Sequence, residues 1–338
     1  MKVDGSLLVD DPADAGPLAR RLEAAGHAGG FTFEGRHDPF LPLCVAAGAT
    51  ERLELITAIA VAFARNPMTL ANTAWDLQLQ SKGRFILGLG SQIRPHIEKR
   101  FSSPWSRPAA RMHELVRAIR AIWDRWQAGT PLDFRGEFYT HTLMTPVFDP
   151  GPHPEGPPRI FVAGFGPRMT EVAGEVGDGF FLHPFHTADS VRQITLPALE
   201  RGLAAAGRTR DSFEISAQVI LAVGDDDEEL ERAIGGARAQ LSFYASTPAY
   251  RGVLECHGLG DLQEELNRLS KRGEWMEMAA RLPVDLVERI AIVGPRATVA
   301  KRIRERYGAY ADRVSLVAPF APDPAGWADV VAQLAAPH

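Results

Sequence analysis

Five side chains that can exchange protons follow segments with the pattern of buried strands. They are Glu34, His37, His96, His183 and His186. Histidine has an ordinary pKa of about 6.5, so it can accept or donate a proton at neutral pH. Because the loops after parallel strands carry the chemistry in α/β proteins, these residues indicate acid–base catalysis. A metal site at His183 and His186 with Asp178 is less favoured, since the His-x-x-His spacing is loose.

Residues 53–92 show which elements position such loops. Residues 53–61 form an apolar run without sustained alternation, as is typical of a parallel strand buried on both faces. Pro67 can begin the next helix, and Gly83 can end it. Residues 84–90 then predict a second buried strand.

Strand and helix signals alternate along the rest of the chain, which favours a parallel sheet covered by helices. Further strands are predicted at residues 3–9, 30–33, 160–163, 179–183, 214–223 and 313–317, and helices at 12–25, 41–50, 109–128, 296–308 and 324–334. The Pro- and Gly-rich residues 148–158 resemble a domain linker. We interpret them as a long loop, because a strand signal follows at once. A single domain of residues 1–338 is predicted, with an inserted helical segment at about 247–289.

Bulk composition excludes several classes of protein. The 338 residues are 45% hydrophobic and carry a net charge of −5, which gives no basic surface for nucleic acid. Cys44 and Cys256 are far apart in sequence and form no disulfide framework. The amino-terminal residues lack a signal-peptide pattern, and the apolar residues 55–64 are too short to span a bilayer. We therefore expect a cytoplasmic protein that does not enter the membrane.

Five segments together resemble the luciferase-like monooxygenase superfamily, in the branch that uses the deazaflavin coenzyme F420. They are HDPF (37–40), AIAVAFARNP (58–67), GRFILGLG (83–90), IFVAGFGP (160–167) and AGEVGDGF (173–180). The likeness extends over nearly the whole chain. It implies a (β/α)8 TIM barrel of the bacterial luciferase type, with the flavin-type ring at the carboxyl ends of the strands. It also implies a homodimer and a small-molecule substrate.

The resemblance further implies a coenzyme site. In F420-dependent relatives the position of Ala58-Ile59 holds a cis peptide that supports one face of the ring. Gly164 to Gly166 join a strand end to a helix start and can seat the coenzyme phosphate, although a tight turn without a ligand is an equal interpretation. The residues assigned to F420, or alternatively to FMN, are Ala58, Ile59, Val61, Gly90, Ser91, Gln92, Ala163, Gly164, Phe165, Gly166 and His183.

The sequence departs from the family pattern at two catalytic positions. After the second strand, relatives often have an acidic residue followed directly by histidine, whereas here Gly35 separates Glu34 from the shifted His37. After the fourth strand, Gln92 and Ile93 stand where many relatives have an acid. We rank His37 first as the acid–base group, before Glu34 and His96. A substrate less charged than a sugar phosphate is predicted, in a pocket of Phe63, Trp105, Phe185, His186 and Tyr244.

The predicted function is an F420-dependent oxidoreductase that transfers a hydride between the deazaflavin C5 and a small organic substrate. An FMNH2-dependent luciferase-like monooxygenase is one alternative, and a non-catalytic flavin- or deazaflavin-binding protein is another.

Two charged clusters in the sequence each have a functional and a structural interpretation. The acidic residues 225–229 are favoured as a helix start rather than a metal site. The basic side chains of residues 296–306 could meet the acidic F420 tail, but a solvated face is favoured.

Overall fold

Eight parallel strands close into a barrel in the computed structural model, which describes residues 1–318 and 323–336. Each strand pairs with the next along the chain, and the last pairs with the first, which closes the sheet. The predicted TIM barrel is therefore confirmed. The strands are β1 Lys2–Ser6, β2 Gly29–Thr32, β3 Glu54–Thr57, β4 Phe85–Gly90, β5 Arg159–Ala163, β6 Gly179–Leu182, β7 Glu214–Val223 and β8 Arg313–Val317.

Helices surround the barrel and follow most of its strands. They are α1 Ala15–Ala24, α2 Phe40–Ala49, α3 Pro67–Gln80, α4 Pro108–Ala128, α5 Pro167–Val176, α6 Ala188–Ser190, α7 Leu196–Ala205, α8 Asp227–Ala245, α9 Arg251–Glu255, α10 Gly260–Arg272, α11 Trp275–Arg281, α12 Val284–Ile290, α13 Val299–Tyr307 and α14 Ala328–Ala335. Asn66 caps α3 by accepting a hydrogen bond from the Thr69 amide, and Pro67 begins it, as the sequence predicted.

The strand predicted at residues 53–61 is interrupted, which corrects that prediction. β3 ends at Thr57, the peptide bond between Ala58 and Ile59 is cis, and a two-residue strand at Ala60–Val61 then pairs with the end of β4. The first strand also ends at Ser6 rather than at residue 9. Periodicity alone cannot reveal such an interruption, because every residue from 55 to 57 and from 60 to 63 is buried.

The inserted helical segment predicted after the seventh strand consists of α9 to α12, of which α10, α11 and α12 pack on α8 and α9 packs on α10. Its apolar side chains form a hydrophobic cluster distinct from the main core, with Leu241, Leu254, Leu266, Met278 and Val287 among its members. A short strand, Ile292–Gly294, then returns the chain to the end of β7. The long loop after α4 contains a hairpin that the sequence analysis missed, formed by Phe134–Arg135 and Thr140–His141.

Charged side chains fill the amino-terminal end of the barrel, which we call the barrel floor. Its members are Lys2, Asp4, Glu54, Arg159, Glu214 and Arg313. The fully buried Arg313 lies 2.7 Å from Asp4, 2.8 Å from Glu54 and 3.1 Å from Glu214. Desolvation raises the pKa of Glu54, but the nearby cations outweigh it, so the net effect is a lowered pKa. Every charge of the floor therefore has an opposite charge beside it.

Candidate active site

A cavity of about 1050 Å³ opens at the carboxyl-terminal end of the barrel, and we call it the mouth cavity. This is the end at which TIM barrels carry their active sites. Most of the surrounding strands contribute to its walls through their last residues or the loops that follow. The lining side chains include Ser6, Phe33, Glu34, Ala58, Ile59, Gln92, His183, Gln218, Gln240, Tyr244 and Leu316.

Six of the residues predicted for the site line this cavity together. They are Glu34, Ala58, Ile59, Gln92, His183 and Tyr244. Gly90 lies directly behind one of them, because a Cβ atom there would come within 2.8 Å of the Ile59 side chain. Ser91 precedes Gln92 and donates a hydrogen bond to its carbonyl oxygen. The predicted coenzyme-binding residues at the carboxyl ends of β3 and β4 are thus close to one another.

The predicted aromatic substrate pocket is distributed differently. Phe63 is 1% exposed in the main core and contacts Trp105 edge-on, with ring centroids 5.9 Å apart. Phe185 is fully buried in the cluster of the inserted segment. Tyr244 is the member of this predicted set that lines the mouth cavity.

Glu34 lies at the edge of the mouth cavity in an ion pair. Its Oε2 atom accepts hydrogen bonds from the Val61 amide at 2.7 Å and from Arg65 at 2.5 Å. Arg65 also donates to Asp38 at 2.7 Å, so one guanidinium joins two carboxylates. The Oε1 atom of Glu34 makes no hydrogen bond to the described residues. One carboxylate oxygen is therefore positioned by the protein while the other is free for a ligand.

His37 and His96 are exposed and do not contribute to the walls of the mouth cavity formed by the described residues. His37 lines a neighbouring cavity of about 480 Å³, between the loops that follow β1 and β2. Phe33 lines both cavities and lies between them. His96 begins a turn of π-helix, His96–Arg100, after β4. Of the three predicted acid–base residues, the structure places Glu34 in the mouth cavity.

The hydrogen bonds of His183 determine its tautomer. Its Nδ1 atom accepts a hydrogen bond from the Phe185 amide at 3.1 Å, so a neutral ring must carry its proton on Nε2. That Nε2–H group then donates to the Tyr250 hydroxyl at 3.0 Å. Desolvation, reinforced by the nearby His186, lowers the pKa of His183 to about 3. His183 is therefore neutral, and both its nitrogens are already bonded within the protein.

His186 is buried behind His183 and supports it. Its Nδ1 atom lies 2.6 Å from the His183 carbonyl oxygen, to which it donates, and its ring contacts Tyr307 edge-on. Desolvation lowers the pKa of His186 to about 4, although the hydrogen bond to the His183 backbone opposes this effect. Its Nε2 atom is buried without a partner among the described residues.

Three residues at or beside the mouth were missed by the sequence analysis. Gln218 lies on β7, Gln240 on α8, and Tyr250 in the 3-10 turn Pro248–Tyr250 before α9. The ring of Tyr250 contacts those of Phe165 and His183, at centroid distances of 4.4 and 4.5 Å. Burial raises the pKa of its hydroxyl to about 12. The four-residue spacing of Gln240 and Tyr244 on a helix was a usable signal; no local pattern marks Tyr250.

The loop between β5 and α5 has an open amino-terminal helix end. Ala163 ends β5, and α5 begins at Pro167 without a side-chain cap. Gly166 has a φ of +84°, and a Cβ atom there would meet nothing within 4 Å. Gly164 differs, since a Cβ atom there would lie 2.2 Å from the Met169 side chain. Gly164 is thus required for packing, whereas the space beside Gly166 is open to a ligand.

The two charged clusters have structural roles in the described structure. Asp226 caps α8 by accepting a hydrogen bond from the Glu229 amide at 2.8 Å, which agrees with the favoured interpretation of the acidic residues. Arg302 and Arg306 donate to backbone carbonyls, and Arg296 pairs with Asp329. Residues 1–318 and 323–336 contain no group of three or more His, Cys, Asp or Glu side chains that could hold a metal ion.

The described helices include none with the length and apolar character needed to cross a membrane. The cytoplasmic location and the homodimer stay predictions.

Comparisons with known proteins agree with this architecture. The family model described as luciferase-like monooxygenase matches residues 2–313. An uncharacterized protein of Mycobacterium tuberculosis is 55% identical over 314 residues, which cover 93% of this chain and 92% of that protein. The 5,10-methylenetetrahydromethanopterin reductase of Archaeoglobus fulgidus is 28% identical over 287 residues, covering 83% and 81% of the two chains.

A solved structure has the same fold. The coenzyme F420-dependent tetrahydromethanopterin reductase of Methanopyrus kandleri superposes with a TM-score of 0.78, covering 98% of this chain and 97% of that one at 21% identity. Since the family model spans almost the whole barrel, the chain belongs to the luciferase-like monooxygenase family.

Proposed function

We propose that this protein is an F420-dependent oxidoreductase that transfers a hydride between the deazaflavin C5 and a small organic substrate. The observation that carries the proposal is the position of Glu34, which lines a cavity formed at the carboxyl ends of the strands and whose Oε1 atom makes no hydrogen bond to the described residues. The F420-dependent reductase of Methanopyrus kandleri has the same fold and supports the choice of coenzyme.

The described residues fit the two chemically different parts of this coenzyme. The ring is planar and aromatic, and the mouth cavity offers the apolar side chains of Ile59, Phe33 and Leu316 to its faces. The phosphate of the side chain needs hydrogen-bond donors, and the uncapped amino terminus of α5 offers free amides beside Gly166. We propose that the ring occupies the mouth cavity and that the phosphate binds at the start of α5.

Glu34 is the residue that we propose for proton transfer. Hydride transfer at C5 of F420 moves two electrons together, so an alcohol that is oxidised must also lose its hydroxyl proton. In our proposal Oε1 of Glu34 accepts this proton, while Arg65 and the Val61 amide hold Oε2 in place. In the reverse direction the protonated Glu34 returns the proton to the substrate oxygen. His37 and His96 are ranked below Glu34, because their side chains are exposed outside the mouth cavity.

A comparative titration tests the coenzyme. The unloaded chain is titrated with F420 and with FMN under identical conditions, and binding is measured by calorimetry. We expect submicromolar affinity for F420 and at least about tenfold weaker binding of FMN. Tight binding of FMN without binding of F420 would contradict the proposal, and oxygen consumption with reduced FMN would then identify a monooxygenase. Tight binding of F420 without turnover on any alcohol or carbonyl would favour a binding protein.

A further inference from the structure

Gln240 and Tyr244 lie one turn apart on α8, and both line the mouth cavity. The Nε2 atom of Gln240 donates a hydrogen bond to the Tyr244 hydroxyl oxygen at 3.2 Å. The Oε1 atom of Gln240 is buried without a hydrogen-bond partner among the described residues. A buried amide oxygen without a partner is unfavourable in the free protein, so this atom indicates a ligand contact.

The two side chains together present donors and an acceptor to a ligand. With the Tyr244 oxygen accepting from one amide hydrogen, the tyrosine hydrogen and the second amide hydrogen are free to donate, and Oε1 is free to accept. Rotating the amide by 180° exchanges these roles, because the tyrosine then donates to the amide oxygen. Both amide hydrogens and the tyrosine oxygen are then free, so the pair presents donors and an acceptor in either orientation.

The charged residues that line the cavity are already paired within the described structure. The pairs are Asp4 with Arg313 at 2.7 Å, Glu34 with Arg65 at 2.5 Å, and Arg21 with Asp323 at 2.5 Å. His183 has both nitrogens bonded. An anionic substrate group would therefore find no free positive side chain among the described residues that line the cavity.

We propose that Gln240 and Tyr244 determine substrate specificity and select an uncharged group that has a hydrogen-bond acceptor next to a donor, such as a primary carboxamide or an α-hydroxy ketone. The inference rests on the proposed function, because the selected molecule is the partner in hydride transfer. A carboxylate has two acceptor oxygens and no donor, so it would leave the buried Oε1 atom of Gln240 without a hydrogen bond. The pair therefore discriminates against anions in two ways, by hydrogen-bond matching and by the lack of a free cation.

Two molecules of nearly equal shape test the proposal. Cyclohexanecarboxamide and cyclohexanecarboxylate differ in the donor and in the charge. Their binding to the F420-loaded protein, and separately to the unloaded chain, is measured by saturation-transfer NMR titration. We expect the carboxamide to bind at least about tenfold more tightly in the loaded protein.

Two variants test whether Gln240 and Tyr244 cause this preference. Gln240→Leu keeps the size of the side chain, and we expect it to weaken carboxamide binding about tenfold while carboxylate binding stays unchanged. Tyr244→Phe removes only the hydroxyl group and is expected to act in the same direction. Gln193→Leu is the matched control, since Gln193 is exposed on the π-helical turn Val191–Thr195, and both molecules should bind it as they bind the parent chain.

Three results would overturn the proposal: equal or tighter binding of the carboxylate, no binding of the carboxamide, or a preference that survives both variants. The measurement on the unloaded chain separates this inference from the choice of coenzyme. If the chain fails to bind F420 but keeps a carboxamide preference that Gln240→Leu abolishes, the proposed role of Gln240 and Tyr244 is supported and the coenzyme proposal is contradicted.

Discussion

The polar groups at the two ends of the barrel differ in how fully they are paired. At the floor, three cations and three carboxylates pair with one another, and Arg313 is fully buried among them. At the mouth, His183 and the adjacent His186 are neutral, and the Oε1 atom of Gln240 is buried without a hydrogen-bond partner among the described residues.

The difference shows where the molecule can accept a ligand. A set of charges that satisfy one another stabilises a closed barrel end, but it leaves no unpaired group for binding. Buried polar groups without partners are unfavourable in the free protein, and a ligand that supplies the missing hydrogen bond removes this penalty. The floor therefore contributes to stability, and the mouth to recognition and chemistry. The four predictions below test this contrast, beginning with the largest expected effect.

Removing the central cation of the floor should have the largest effect. Arg313→Met leaves the buried Asp4 without an opposite charge, so we expect the free energy of unfolding to fall by about 3 to 5 kcal/mol. Urea denaturation measures this loss. Lys2→Met is the control, because the Lys2 side chain is 41% exposed and should contribute less than about 1 kcal/mol. Equal losses for both variants would contradict the importance of burial at the floor.

Changing the carboxylate of Glu34 at the mouth should affect catalysis. Glu34→Gln removes the proposed proton acceptor, and we expect turnover to fall by at least about a hundredfold while F420 affinity changes little. Steady-state kinetics with an accepted alcohol or carbonyl substrate measures the effect. Asp38→Asn is the matched control, because Asp38 binds the same guanidinium from a more exposed position. If His37→Ala abolishes turnover and Glu34→Gln does not, the ranking from the sequence was correct.

The two ends should lose stability in different ranges of pH. The folded pKa values of His183 and His186 lie below the ordinary value of 6.5, so the unfolded chain binds protons first as the pH falls. The stability that depends on keeping these histidines neutral is fully present above about pH 6.5 and is lost as the pH falls towards about 4. The pKa values of Glu54 and Glu214 are lowered from the ordinary value of 4.5, so these two groups reduce stability only when the pH falls below about 4.5.

Unfolding free energies measured between about pH 7 and pH 5 test this separation. Each buried histidine should reduce stability by about 1 to 2 kcal/mol over this range. His186→Leu should remove its share of the pH dependence. An unaltered pH dependence in His186→Leu would show that this histidine is not held neutral.

The smallest effect is expected at the proposed phosphate seat. Arg168 is the second residue of α5, and Arg168→Glu places a negative charge beside the helix amino terminus, so F420 affinity should fall about tenfold. Arg201→Glu is the control, because Arg201 also pairs with Glu171 and is similarly exposed but lies on α7. A titration with F420 compares the two variants, and equal effects would place the phosphate elsewhere.

The sequence determined the architecture to a large extent. The predicted limits of β7 and β8, at residues 214–223 and 313–317, coincide with the observed strands. Alternating helix and strand patterns result from short-range backbone preferences and from burial, both of which are written into local residue order. The order of the motifs was sufficient to identify the family that the comparison with known proteins confirmed.

Only the tertiary structure decided which side chains of the mouth are free to react. Glu34 and Arg65 are 31 residues apart, and His183 and Tyr250 are 67 apart, so no local pattern predicts either pair. Residue type gave His37 and His183 equal standing as proton donors. Closure of the barrel left His37 exposed and surrounded His183 with partners that occupy both its nitrogens. Protonation and hydrogen bonding depend on groups brought together from distant parts of the chain, and that is why the structure was needed to choose among the candidates.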